Sequence, residues 1–145
     1  MKDNTTKKSN KSKTKQKIKK YIDCYIQPIY SPAKLYVCKN CTITDIEKHF
    51  YNCTLDLVDD TWDAYCLCLA KDKKTGDCCN IIVLKDIIFT YSKASQIGIL
   101  AHEAFHAAHG ILSYCGVNLS DSSEESYAYM IGWITECIYK TYEKK

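Results

Sequence analysis

The sequence predicts an α+β fold in which a small antiparallel sheet, built around one hairpin, packs against a central helix and a C-terminal helix. Three observations point there. Two strand-like runs, Trp62–Lys71 and Cys78–Lys85, flank a polar segment containing Gly76, the pattern of a hairpin with a longer turn. A helical stretch from Lys93 to Cys115 follows, with Ser92 ahead of it and Gly116 behind it, residue types that start and stop helices. A polar loop, Asn118–Ser123, then leads into a last helix from Glu124 to Tyr142.

The remaining elements follow in chain order. Residues 1–17 contain almost nothing apolar and are expected to be a disordered, lysine-rich tail, leaving 18–145 as the folded domain. Apolar residues recur from Ile18 onward. Lys34–Val37 follows turns at Pro28 and Pro32 and reads as a short strand. Thr44-Asp45-Ile46-Glu47 has the form of a capping box, which predicts a short helix over 45–52. Cys66 and Cys68 alternate with Leu67 and Leu69, as small hydrophobes packed in a strand do. Asn80–Leu84 reads as a sheet edge against which a peptide could lie. No internal repeat is present.

Composition narrows the classes. Of the 145 residues 46% are hydrophobic, ample for a globular core. No apolar run approaches the ~20 residues of a membrane span, so no membrane partner is expected. No apolar stretch or small-residue cleavage site follows the lysine-rich start, so a secretory signal is not expected either. Charge is concentrated at one end. Nine lysines against one acid give residues 1–20 a net +8, while eleven lysines against sixteen acids leave the rest at −5. All twenty basic residues are lysine, which disfavours readings that need the bidentate guanidinium fork. A weak nucleic-acid contact through the lysine tail is the most that this charge predicts. Without an export signal, the ten cysteines are expected to be reduced thiols. Cys38 and Cys41 have the spacing of half a zinc knuckle, but the adjacent Cys78 and Cys79 are poorly spaced as its second half.

Chemistry enters with His102-Glu103-Ala104-Phe105-His106. Histidines four apart on a helix share a face one turn apart and can share a metal ion. Glu103 leans towards the same place, where it can take a proton from an activated water. The apolar neighbours Leu100, Ala104, Ala107, Ala108, Ile111 and Leu112 predict that this helix is buried and central. Two imidazoles and a carboxylate there would need partners, and one zinc ion would satisfy all three. Three residues compete as third protein ligand: His109, Glu124 and Glu125. Against His109, three ligands from 102 to 109 would climb ~10 Å of straight helix, at about 1.5 Å per residue. Against Glu125, Ser122-Ser123-Glu124-Glu125 also fits a capping box. Tyr114, Tyr127, Tyr129 and His109 are candidates to steady an oxyanion.

The stretch Ile99–His106, then Gly116, then Glu125–Trp133 (ESYAYMIGW) resembles small, largely uncharacterised bacteriophage zinc metallopeptidase-like proteins of the gluzincin type, closely over 99–133 and loosely over 60–140. Glu125-Ser126-Tyr127-Ala128 is similar to their E-x-x-A segment. The resemblance implies a minimal zincin-like fold, one Zn²⁺ per chain on His102, His106 and Glu125, Glu103 as general base, a protein or peptide substrate, and a cytoplasmic location, that of the host if phage-encoded. The larger gluzincins often have an acid that orients a histidine four residues after the third ligand, and this chain departs from them with Tyr129. The competing expectation is a non-catalytic, zinc-stabilised domain that binds a partner or nucleic acid through its basic tail. Glu103 separates the two, since a structural zinc site needs no base.

Overall fold

A computed structural model of the chain describes residues 18–51 and 58–144. The expected disordered tail, 1–17, lies outside the described residues. The architecture is α+β: among the described residues, a five-stranded mixed sheet with three helices and one short 3-10 turn. In chain order these are β1 (Tyr21–Tyr25), β2 (Lys34–Lys39), α1 (Ile43–His49), β3 (Phe50–Tyr51), β4 (Ala64–Asp72), β5 (Cys78–Leu84), the 3-10 turn Asp86–Thr90, α2 (Lys93–Tyr114) and α3 (Glu124–Tyr142).

The sheet order is β1-β2-β5-β4-β3. The expected hairpin is β4–β5, antiparallel, with Ala64 opposite Leu84 and Lys71 opposite Cys78. The sheet as a whole corrects the antiparallel expectation, because β2 runs parallel to β5, with Val37 opposite Ile82. The chain leaves β2 and crosses through α1, β3 and β4 before returning beside it, which sets the two strands in the same direction. Asn40 ends β2 in the left-handed region at φ 57°, a conformation its short amide tolerates. It donates from its backbone to the Leu84 carbonyl at 2.8 Å and exchanges side-chain hydrogen bonds with Asp86.

One strand is added and two local expectations change. β1 is a full strand paired with β2. The short helix begins two residues earlier than Thr44 would place it. Thr42 is its N-cap, accepting from the Asp45 N–H, while the Asp45 carboxylate accepts from the Thr42 N–H at 2.9 Å. A reciprocal pair three residues apart satisfies two otherwise orphaned donors, and Thr42 closes the box because Asp45 faces back to it. Finally, β5 is the middle strand and is buried at every position, as strands covered on both faces are. Asn80–Leu84 is therefore interior, not an edge for a peptide.

Two apolar clusters sandwich the sheet. One holds Leu35, Val37, Ile82, Leu100, Ala104, Ile111, Ile134 and Ile138 between the strands and α2–α3. The other, on the opposite face, holds Cys38, Cys41, Ile46, Phe50, Leu67, Cys79 and Ile81. Each fully buried Leu or Ile contributes roughly 1.5–3 kcal/mol relative to an exposed one. Cys38 and Cys41 are thus core residues of the α1 side. None of the described cysteines is in a disulfide, and no helix among the described residues is long and apolar enough to cross a membrane.

Candidate active site

Helix α2 is half-buried, where its composition predicts full burial. Ser92 caps its first turn, accepting from the Ser95 N–H at 3.1 Å. Leu100, Glu103, Ala104, Ala107, Ala108 and Ile111 form its inner face, while His102, Phe105, His106 and His109 lie on the outer one. The small residues at 104, 107, 108 and 110 let the helix axis approach the sheet. Gly110 shows how close this approach is. A Cβ there would lie 2.1 Å from Asn80 Oδ1 and 3.1 Å from Cys68 Sγ. Asn80 is fully buried on β5; its Oδ1 accepts from the Leu69 N–H at 3.3 Å, while its Nδ2 has no hydrogen-bond partner among the described residues.

On the outer face the Nε2 atoms of His102 and His106 stand 3.0 Å apart, with the rings edge to face. Two nitrogens on one zinc, each ~2.0–2.1 Å from it in a tetrahedral arrangement, lie about 3.3 Å apart. The pair therefore fits two positions of a shared ion. Glu103 turns inward and is only 7% exposed. Burial pushes its carboxyl above the ordinary carboxylate range, and the neighbouring His102 charge partly opposes that. Burial also pulls His106 below the usual histidine value, helped by His102 and His109, so its ring favours the neutral form that binds metals.

A trough runs between these residues and the start of β4. One part, about 600 Å³, is lined by Trp62, Asp63, Gly98, His102 and Glu103; the other, about 390 Å³, by Trp62, Cys66, Cys68, His102, Glu103 and His106. Cys66 and Cys68 lie in β4 as expected, with Cys66 packed against the α2–α3 cluster, and both also line this trough. Their sulfurs are 3.9 Å apart, and Cys68 donates to the His106 carbonyl at 3.4 Å. The hydrogen bond between the two thiols holds Cys68 below its ordinary range and, with burial, pushes Cys66 well above it. Two signals in the sequence could have found this wall. Residues two apart on a strand share a face, and a glycine inside a helix marks a close approach.

Glu125 stands elsewhere. It is exposed in the first turn of α3 and lines a separate groove of about 650 Å³ with Tyr30, Tyr129 and Trp133. The reason is azimuth. The buried stripe of α3 is Tyr127, Met130, Ile134, Cys137 and Ile138, and Glu125 lies nine residues, or roughly 180° at 100° per residue, from Ile134. The alternative capping role is not formed either: the N-cap is Ser123 and makes no side-chain cap hydrogen bond. Among the described residues no group of three His, Cys, Asp or Glu side chains is placed to hold a metal ion. The structure brings together His102, Glu103 and His106, and leaves Glu124 and Glu125 apart from them. His109 turns to α3, where its Nδ1 lies 3.3 Å from the Tyr127 hydroxyl, which also donates to the Val117 carbonyl. None of Tyr114, Tyr127, Tyr129 or His109 lines the trough. Comparison with protein-family models, curated proteins and solved structures gives no match.

Proposed function

We propose that the chain is a zinc-dependent hydrolase of peptide bonds, of minimal zincin-like design, with His102 and His106 as metal ligands and Glu103 as general base. The single observation that carries this reading is the His102–His106 pair, Nε2 to Nε2 at 3.0 Å, beside the buried Glu103 carboxylate in one trough. When bound, zinc supplies polarisation of a carbonyl and acidification of water. The protein's own groups do the rest. Glu103 accepts a proton from the attacking water and returns it to the leaving amine as the C–N bond breaks. Its raised pKa suits a group that must both take and give a proton near neutrality. The trough beside it, floored by α2 and walled by β4, has the room for an extended peptide segment. The role that the gluzincin resemblance assigns to Glu125 requires the first turn of α3 to reorient towards the histidines.

Metal analysis of the purified full chain, combined with Glu103→Gln, tests the reading. About one zinc per chain is expected in wild type and in the variant, while peptide cleavage falls by roughly 10²–10⁴-fold, the scale of general acid–base work. A protein that binds no zinc with its thiols protected overturns the proposal. Cleavage that survives Glu103→Gln overturns the mechanism.

A further inference from the structure

We propose that Cys66 and Cys68 are a thiol–disulfide exchange site in the wall of the trough, oxidised reversibly by small disulfides of the glutathione class. Three observations carry the proposal, and none depends on a bound metal.

The first is spacing. The two sulfurs are already 3.9 Å apart on one face of β4, and closing to a bond of about 2.05 Å needs Cα atoms within roughly 4.4–6.8 Å. Residues two apart in a strand rise about 6.4–6.8 Å, at the upper end of that range. The regular pairing of β4 ends at the Cys68 side of the pair: the β4–β5 register shifts between Leu67 and Ala70, and Leu69 sits at φ 57°. Such irregularities bend a strand locally.

The second is access. Both thiols line the cavity that holds His102, Glu103 and His106, with Cys66 the deeper of the two. Cys38 and Cys41, a second pair of neighbouring thiols, are 0% and 1% exposed inside the opposite cluster, closed to a reagent of this size.

The third is a built-in consequence. The reduced Cys68 thiol donates to the carbonyl of His106 at 3.4 Å, tying β4 to α2 at the histidine pair. A disulfide sulfur has no hydrogen to donate, so oxidation cuts that tie.

The step balances as ordinary exchange. The thiolate of Cys68, the more open of the two, attacks one sulfur of the small disulfide. One thiol leaves, taking a proton, and a mixed disulfide remains. Cys66 then attacks the Cys68 sulfur, releasing the second thiol. Two protein thiols are oxidised, and one small disulfide is reduced to two thiols.

Mass spectrometry decides this on the full chain. Reduced protein is treated with excess oxidised glutathione, free thiols are blocked, and trypsin with Asp-N releases the peptide 63–71, which contains Cys66 and Cys68 as its only cysteines. The expected peptide is two hydrogen atoms lighter than the reduced form, unblocked, free of glutathione, and restored by dithiothreitol. Cys66→Ser should instead trap glutathione on Cys68. A peptide that stays fully reduced while exposed Cys24 is modified, that stops at a mixed disulfide in wild type, or that is linked to a third cysteine overturns the proposal.

Discussion

Helices α2 and α3 are both long, both preceded by a serine, and both packed on the same side of the sheet, yet they treat their polar residues in opposite ways. On α2 small residues interrupt the inner face at 104, 107, 108 and 110, and the chemistry-bearing side chains line the trough: Glu103 beneath it, His102 and His106 along its rim. On α3 the inner stripe is large and apolar, from Tyr127 to Ile138, and both glutamates of its first turn are left in solvent. The difference teaches which parts of a site are local. Two histidines four apart meet on any α-helix. A glutamate on another helix meets them only if rotation, tilt and height of that helix all agree, and here the rotation is governed by Tyr127, Met130 and Ile134 seeking the core.

The sharpest way to break this comparison is through zinc. Under the proposed function, His102→Ala and His106→Ala should each weaken zinc binding by more than the roughly 10–100-fold that loss of an outer partner costs. Glu125→Ala should leave the affinity near wild type and change stability by only a few tenths of a kcal/mol, as a first-turn charge does. Equilibrium dialysis of the three variants measures this. A Glu125→Ala loss as large as that of a histidine would show that α3 turns its first residues over the pair when metal binds.

The next contrast is between the two faces of α2 and is read by urea denaturation. Gly110→Ala drives a methyl group into the Asn80 amide and the Cys68 sulfur, and overpacking of this kind costs about 1–3 kcal/mol. Ile97, 61% exposed on the same helix, should tolerate alanine within about 0.5 kcal/mol. Equal effects would mean that α2 sits further from β5 than the Gly110–Asn80 approach implies.

The smallest effect concerns pH. Burial raises the folded-state pKa of Glu103, so the folded chain holds that proton at pH values where the unfolded chain has released it. Stability from this group is therefore full below the unfolded pKa and is lost as pH rises through the folded one. Metal-free Glu103→Gln should lack this loss: its stability relative to wild type should improve on going from pH 4 to neutrality, as followed by thermal melts. A flat difference across that range would place the carboxylate in water.

Much of this was legible beforehand. Ser92 ahead of an apolar run and Gly116 after it mark α2 because each acts on the adjacent turn, and Gly116 does take the left-handed conformation, at φ 79°. The hairpin around Gly76 follows from the same kind of short-range chemistry, with that glycine at φ 77°. The box at Thr42 escaped because Thr44 offers the same residue pattern two positions later, and only the fold of Asp45 back onto Thr42 distinguishes them.

What the sequence alone determined is what neighbours in the chain enforce: the helix bearing His102 and His106, their common face, the hairpin, and the general α+β class. Tertiary structure alone decided that β5 lies between β2 and β4, that β2 runs parallel to it, that Cys66 and Cys68 share a trough with Glu103, and that Glu125 points away. The physical reason is range. Hydrogen-bonded turns and four-residue spacings are enforced within a few residues. The direction of a glutamate across two helices is instead the by-product of where the largest apolar side chains of α3 find room against α2 and the sheet, which lie far from Glu125 in the chain.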